Sequence, residues 1–431
     1  MAANTTLRVF RTLPEIGAAL MPFAAVQSFM RERQIDGWLI HDFRGSNAIL
    51  SRLVVHPEGK RRFTTRRVAL FIPAQGVPTL VVNPLDAGQF VPPHVDAGLG
   101  CNRELYISWR EYQDALGRLI RAAGSTGRIA MEYAPGCSLP AVSNVDAGTI
   151  ELVRSLGAEV VSSADLIQVS IARWSATAVE NHALASVQVG RIKDDAFAYI
   201  GESVRAGRAI DERAAQKFIQ DRFASAGLEF PDGPIVAVNA HAGDPHFDVA
   251  PSGSSPIRKD DWVLIDLWAR VPGEVNIFSD ITWCGFCGQK SGCPAKVLDV
   301  FYAVRDARDA ALLFAQESWK AGRPVQGWQL DDAAREVLIA RGLASGIRHR
   351  TGHSLSPGPM VHGLGMNLDN LETRDTRLML PGIGFTIEPG VYLAGESPRG
   401  FGVRNEINVY VDSAKGPVVT SGKQDEPVWM G

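Results

Sequence analysis

The chain has few of the features that would assign it quickly. Only five of its 431 residues are cysteine, an odd number scattered along a long sequence. That argues against a disulfide framework and favours a reducing, cytoplasmic setting. No apolar run approaches the roughly 18 residues needed to cross a bilayer. The apolar stretch at 16–26 is short and contains Pro22, and it reads as a helix leading into Phe29-Met30, not as a leader. Charge is almost balanced, with 44 basic against 47 acidic residues and a formal net charge of −3. Without a block of one sign, neither nucleic acid nor an anionic membrane is an evident partner. There is no glycine-rich phosphate loop and no nucleophile elbow of the G-x-S-x-G kind, and no internal repeat is strong enough to assign, although two acid-bearing hairpins could be the trace of one.

What is present divides in two, because 431 residues exceed what one core usually organises. Residues 1–173 alternate helical and strand-like segments. Helices are expected at 23–33, 112–123 and 148–156, and strands at 37–41, 67–72, 79–82, 128–132 and 159–161. The strands at 67–72 and 79–82 flank Pro73-Ala74-Gln75-Gly76 and should pair antiparallel. This is an α/β domain with helices covering a sheet. Residues 174–431 open with a capping-box start at Thr177 and Glu180, followed by long helices. Further helices are expected at 211–226, 296–316 and 330–344. The rest reads as strands and turns, an α+β arrangement with helices laid against a curved antiparallel sheet.

Those strands carry an unusual set of acids. Asp266 and Asp280 stand equally far on either side of Gly273, within Pro272-Gly273-Glu274. A hairpin centred there would set them directly opposite one another. Glu388 and Glu406 are related in the same way about Ser397. Like charges at such separations repel and would hold protons, so four of them together are better explained by cations. Two divalent ions balance four carboxylates, with the imidazole of His353 as a neutral ligand. An oxygen-rich set with one histidine suits Mn²⁺ best, and Zn²⁺ or Co²⁺ less specifically. Cys284-Gly285-Phe286-Cys287 has a metal-like spacing. On a strand, however, its sulfurs face opposite ways, so they are expected to be packed free thiols.

Five segments carry a resemblance. They are Val263-Leu264-Ile265-Asp266, Ser279-Asp280-Ile281-Thr282, Arg350-Thr351-Gly352-His353-Ser354 with Val361-His362-Gly363, Ile387-Glu388-Pro389-Gly390, and Gly402-Val403-Arg404-Asn405-Glu406. Together they resemble the motif series of the pita-bread metallopeptidases, which include aminopeptidase P, prolidase, methionine aminopeptidase and creatinase. The resemblance spans 175–431, and the preceding domain is similar to that of the creatinase and prolidase branch.

The resemblance implies that Asp266 chelates one metal, that His353 and Glu388 hold the second, and that Asp280 and Glu406 bridge the pair. A water or hydroxide shared by the metals would be the nucleophile, with Glu388 closest in role to its proton acceptor. His246 and His362 would line the substrate site. Arg404 would share a strand face with Glu406, either pairing with a ligand carboxylate or meeting a substrate carboxylate. His349 resembles another family histidine, whereas His241 has only its proximity to His246. The implied activity is hydrolysis of Xaa-Pro bonds at the amino terminus of dipeptides or short peptides by a homodimer. The rival readings are a hydrolase of non-proline amides or esters and a metal-free peptide-binding module. Three departures bear on substrate preference: Trp283 stands where the family has arginine, Ser356-Pro357-Gly358-Pro359 looks like an insertion, and the loop between the aspartates is longer.

Overall fold

The computed structural model describes residues 23–54, 64–90, 101–248, 253–396 and 399–431. Most of the expected segment at 16–26 and the centre of the second acid turn, Ser397, lie outside them. The chain forms two compact units, one of residues 1–133 and 144–163, the other of 134–143 and 164–431. The sequence placed the join ten residues later. The difference arises because helical segment 164–172 is bonded into the second unit. Gln168 donates to the Leu378 carbonyl and accepts from the Met366 amide, and Asp165 accepts from the Leu378 amide.

The first unit is a six-stranded mixed sheet. Its strands are β1 (Gly37–Phe43), β2 (Arg67–Pro73), β3 (Thr79–Val82), β4 (Asn102–Leu105), β5 (Arg128–Met131) and β6 (Glu159–Ser162), in the order β4-β3-β2-β1-β5-β6. The expected β2–β3 pair is antiparallel, and β1, β5 and β6 run parallel. Helix Trp109–Ala123 starts with a capping box between Ser108 and Glu111 and buries Tyr112, Ala115, Leu116 and Ile120.

The second unit contains β7 (Ile235–Val238), β8 (Trp262–Ala269), β9 (Ser279–Phe286), β10 (Ser354–Leu355), β11 (Gly384–Ile387), β12 (Gly390–Leu393), β13 (Phe401–Arg404), β14 (Ile407–Asp412), β15 (Gly416–Val419) and β16 (Val428–Trp429). They make two four-stranded sheets, β16-β9-β8-β7 and β10-β11-β14-β15, and the ribbon β12-β13. All pairs are antiparallel except β16–β9. The long helices are Ala176–Arg205, Glu212–Ser225, Ala295–Lys320 and Gly327–Ala340. The last was expected to run on to 344. It stops because Gly342 takes a left-handed φ of 74°, a helix-ending conformation. Among the described residues no helix is long and apolar enough to cross a membrane.

Strand alternation decides where the site falls. On β8 and β9 the odd-numbered Val263, Ile265, Leu267 and Ile281 join a core with the helices Ala176–Arg205 and Glu212–Ser225. The even-numbered Trp262, Leu264, Cys284 and Phe286 join a second core with helix Ala295–Lys320. Asp266 and Asp280 continue that even face past the edge of its core. The two cysteines accordingly diverge. Cys284 lies in one core and Cys287 in the other, both are free, and burial pushes both thiols up to about 12.

Candidate metal centre

The first acid pair is offset by one step from the expected geometry. In the β8–β9 hairpin Asp266 lies opposite Thr282, and Asp280 lies opposite Trp268. The turn is centred on Glu274, one residue beyond Gly273, and that shift moves every pair by two. The acids therefore stay on one face as diagonal neighbours instead of facing directly. Gly273, with φ of 124°, still makes the bend, and its carbonyl accepts the Asn276 amide.

The second pair keeps its expected register, but the ribbon breaks where the acids sit. Ile387 pairs with Ile407 and Gly390 with Arg404, so both halves share the centre at 397. Between them Glu388 and Glu406 belong to no strand. The Glu388 amide donates to Thr351 and the Glu406 amide to Thr282 of β9. The break thus ties the second hairpin to the first and to the segment carrying His353. Gly352 makes that approach possible, because a Cβ there would lie 2.1 Å from the Thr386 carbonyl oxygen. The His353 amide then donates to Thr386 Oγ1 at 2.9 Å, and the same hydroxyl donates to Glu388 Oε1 at 3.0 Å.

All five proposed ligands converge. His353 Nε2 lies 3.3 Å from Asp280 Oδ2 and 3.4 Å from Glu388 Oε1. Asp280, His353 and Glu406 can each place one donor atom within 4.8 Å of the others. Arg404 joins Asp266 to this set, with Nη2 on Asp266 Oδ2 and Nε on Thr282 Oγ1, while Thr282 donates to Glu406 Oε2 at 2.8 Å. Glu406 is 1% exposed, His353 3% and Asp280 5%.

Burial raises the pKa of Asp266, Asp280 and Glu406, and neighbouring carboxylates add to the effect at each. Burial acts the same way on Glu388, but the charges of His353 and Arg404 outweigh it and hold that carboxyl low. Burial opposes charge on His353, yet its hydrogen bond to Asp280 and the charges of Glu388 and Asp280 raise it overall. Two buried oxygens, Asp266 Oδ1 and Glu406 Oε1, have no hydrogen-bond partner among the described residues. Leaving a buried carboxylate oxygen bare is costly. The donor set therefore fits divalent cations: oxygen-rich, multiply anionic, and carrying acceptors that no proton donor fills. His353 Nδ1 faces its Ser354 carbonyl at 3.1 Å, which leaves Nε2 aimed at the acids, as a ligand nitrogen requires.

The other candidates separate by environment. His362 packs on His353 with ring centroids 4.1 Å apart, and the His353 charge together with burial pushes it down to about 3. His246 is exposed, beside Pro245, whose carbonyl lies 3.5 Å from Arg404 Nη1, and its charge reaches His362. His349 is held between its Tyr392 hydroxyl partner at 2.6 Å and the Arg350 carbonyl. His241 turns away to the buried Glu212 at 2.9 Å and stacks on Phe247. Of the two readings of Arg404, the carboxylate pair is the one formed; its donors are taken up by Asp266, Thr282, Tyr392 and Pro245.

Sequence reasoning passed over Tyr392, Thr282, Thr386 and Asn408, which orient these groups. Asn408 Oδ1 accepts the Asp280 amide. Thr282, Thr386 and Asn408 each lie two residues from a residue already singled out, Asp280, Glu388 and Glu406 respectively, which is the signal that could have found them; Tyr392 carries no such signal.

Against this geometry the comparisons are decisive. The profile of metallopeptidase family M24 matches residues 187–413, more than half of the chain. The chain belongs to metallopeptidase family M24. It is a metallopeptidase with the pita-bread fold, and the family implies divalent metal ions. Among curated relatives it is similar to the probable dipeptidase PepE of Mycobacterium tuberculosis, 27% identical over 360 residues covering 81% of this chain and 85% of that one. It is also similar to the uncharacterized peptidase YqhT of Bacillus subtilis, 26% identical over 55% of this chain and 60% of that one. Among solved structures, dipeptidase PepE from Mycobacterium ulcerans superposes with a TM-score of 0.63 at 23% identity, covering 96% of this chain and 97% of that one. The prolidase from Pyrococcus horikoshii gives 0.56 at 20%, covering 94% and 99%.

Proposed function

We propose that this metallopeptidase hydrolyses Xaa-Pro bonds at the amino terminus of dipeptides or short peptides with a pair of divalent ions, Mn²⁺ before Zn²⁺ or Co²⁺. The observation that supports the two-ion reading is that two carboxylates of the acid cluster, Asp266 and Glu406, each keep one bare buried oxygen, Oδ1 and Oε1. Asp266, Asp280, Glu388, Glu406 and His353 would hold the ions. When bound, the ions would lower the pKa of a water and polarise the scissile carbonyl.

The chain's own residues do the rest. Arg404 fixes Asp266 through Oδ2 and leaves Oδ1 to bind. Thr282 fixes Glu406 in the same sense, and Thr386 fixes Glu388. Glu388, with the Arg404 guanidinium 3.9 Å away to favour its charged form, is the carboxylate able to accept a proton during attack. His362, packed against His353, can accept a hydrogen bond or a proton from substrate, and the exposed His246 lies within electrostatic reach of it. The proline preference draws support from the fold neighbours described as prolidases and from the relatives described as dipeptidases. A homodimer is the proposed assembly.

The test is one sample assayed twice: metal content by elemental analysis, and cleavage of Xaa-Pro dipeptides, Xaa-Pro-Xaa tripeptides and proline-free controls. Two equivalents of metal with proline-dependent cleavage are expected. A fully loaded, folded protein inert towards every proline peptide would sink the substrate reading, and a single equivalent would sink the two-ion reading.

A further inference from the structure

The segment that separates His362 from His353 carries Ser356-Pro357-Gly358-Pro359, the stretch that looks like an insertion beside the family pattern. Its neck is closed by two bonds: the Gly363 amide donates to the Ser354 carbonyl at 2.7 Å, and the Leu364 amide donates to Ser356 Oγ at 3.0 Å. Its tip is held from outside. Gly358 donates to the Glu274 carbonyl at 2.7 Å, in the turn between the two metal-site aspartates. The Gly358 carbonyl accepts from Arg270 Nη1 at 2.5 Å.

Arg270 is suited to that task. It follows β8 on the face that carries Asp266 and Trp268, yet it is fully buried, with its guanidinium 4.3 Å from the centre of the Phe278 ring. The same Nη1 also reaches the Asn276 carbonyl at 3.3 Å, and Nη2 binds Glu229 at 2.5 Å. Glu229 also accepts the Gly273 amide, so one carboxylate binds both the clamp and the turn. Burying a guanidinium is costly unless its charge is paired; here Nε has no partner among the described residues, Nη2 pairs with Glu229, and Nη1 is spent on the carbonyl of a loop tip four residues from His362.

We propose that Arg270, backed by Glu229, is a positioning residue that holds the 356–363 loop so that His362 lies against His353 over the metal cluster. The proposal rests on the reading of His362 as a group that contacts substrate. The tip anchor and the neck anchor bracket His362, and loss of the tip anchor frees the stretch Pro359-Met360-Val361 to swing it away. Metal ligation is untouched, because no ligand lies on the loop.

The experiment compares Arg270→Ala, Arg270→Lys, Glu229→Gln, His362→Ala and the double variant Arg270→Ala/His362→Ala in the metal-loaded enzyme. Melting curves define a temperature at which each is folded. The expected result for Arg270→Ala is a kcat about a hundredfold lower, the scale set by an ångström-sized misplacement, with KM and metal content close to those of the parent. Arg270→Lys should recover part of it, since lysine keeps the charge opposite Glu229 but cannot also fork to Gly358. Glu229 is partly exposed, so Glu229→Gln tests the clamp with little risk to folding; a smaller fall in kcat is expected. The double variant should be no slower than His362→Ala alone, because both changes remove the same contribution.

Additive losses in the double variant would overturn the proposal, as would unchanged kcat in Arg270→Ala and Glu229→Gln while His362→Ala is impaired. If His362→Ala itself keeps full kcat, the underlying reading of His362 fails first.

Discussion

Each unit of this protein buries a carboxylate completely, and the two are treated in opposite ways. Glu132, at the end of β5 in the first unit, accepts from Trp38 Nε1 at 2.7 Å, Asn47 Nδ2 at 2.7 Å and Ser163 Oγ at 3.0 Å. Both of its oxygens are satisfied by neutral donors, and those donors come from three separate segments. Glu406 in the second unit has one oxygen on Thr282 and the other on nothing, with three more acids around it. A saturated buried acid is a fastener. A buried acid with an empty oxygen, in company, is half of a binding site, because the missing partner must be a cation that protein groups do not supply.

The largest effect that would break this contrast is metal removal. Chelation should reduce peptide cleavage to background and restore it on adding Mn²⁺, whereas Glu132→Gln should leave both the metal content and that recovery intact. Asp280→Asn should lower metal content and activity together, measured on the same preparation.

Next in size is His362→Ala, for which kcat should fall roughly 10²- to 10⁴-fold, the usual scale of a proton-transferring side chain, with metal content spared. If metal falls as it does in Asp280→Asn, the separation between ligands and substrate-facing groups is wrong. Tyr392→Phe removes the hydroxyl shared by His349 and Arg404. A loss of about 10- to 100-fold in metal affinity or activity is expected, as for other groups that orient ligands.

Stability sharpens the comparison further. Saturating metal should raise the unfolding free energy by about 2.7 kcal/mol for each ion bound at a hundred times its Kd, provided the four acids are intact. The smallest and most specific effect concerns Glu132, whose pKa burial raises from 4.5 to about 7. A folded-state pKa above the unfolded one means that the stabilisation is full below about pH 4.5 and is lost as pH rises through about 7. The wild type should therefore lose stability relative to Glu132→Gln between pH 5 and pH 8, by about 3 kcal/mol at most. Denaturant curves of the two proteins at both pH values measure it, and a constant gap would remove the titration from Glu132.

Much of this was legible beforehand, and the reasons differ by element. Five of the six strands of the first sheet and the long helices follow from apolar spacing, whereas β4 was not expected, and the helix from Ala176 is capped by Ser175, not through Thr177 and Glu180. The centre of the second acid turn was legible because both halves of the ribbon obey one register, even though the ribbon is broken at Glu388. The first turn slipped by one residue because Pro272-Gly273 marks a bend without fixing which residue lies at its middle. The boundary between the units was misplaced because nothing local to 164–172 reveals its bonds to Met366 and Leu378, some two hundred residues away. The clamp formed by Arg270 was invisible for the same reason.

By itself the sequence singled out the candidate residues: alternation puts Asp266 and Asp280 on one strand face, and their grouping with Glu388, Glu406 and His353 calls for a compensating charge. Only the tertiary structure decided how they meet. Hydrogen bonds from Glu388 to Thr351 and from Glu406 to Thr282 close the gap between hairpins. They also decide that Arg404 is committed to Asp266. Such choices depend on which distant groups remain to satisfy a buried oxygen, and proximity of that kind is created by folding, not by spacing along the chain.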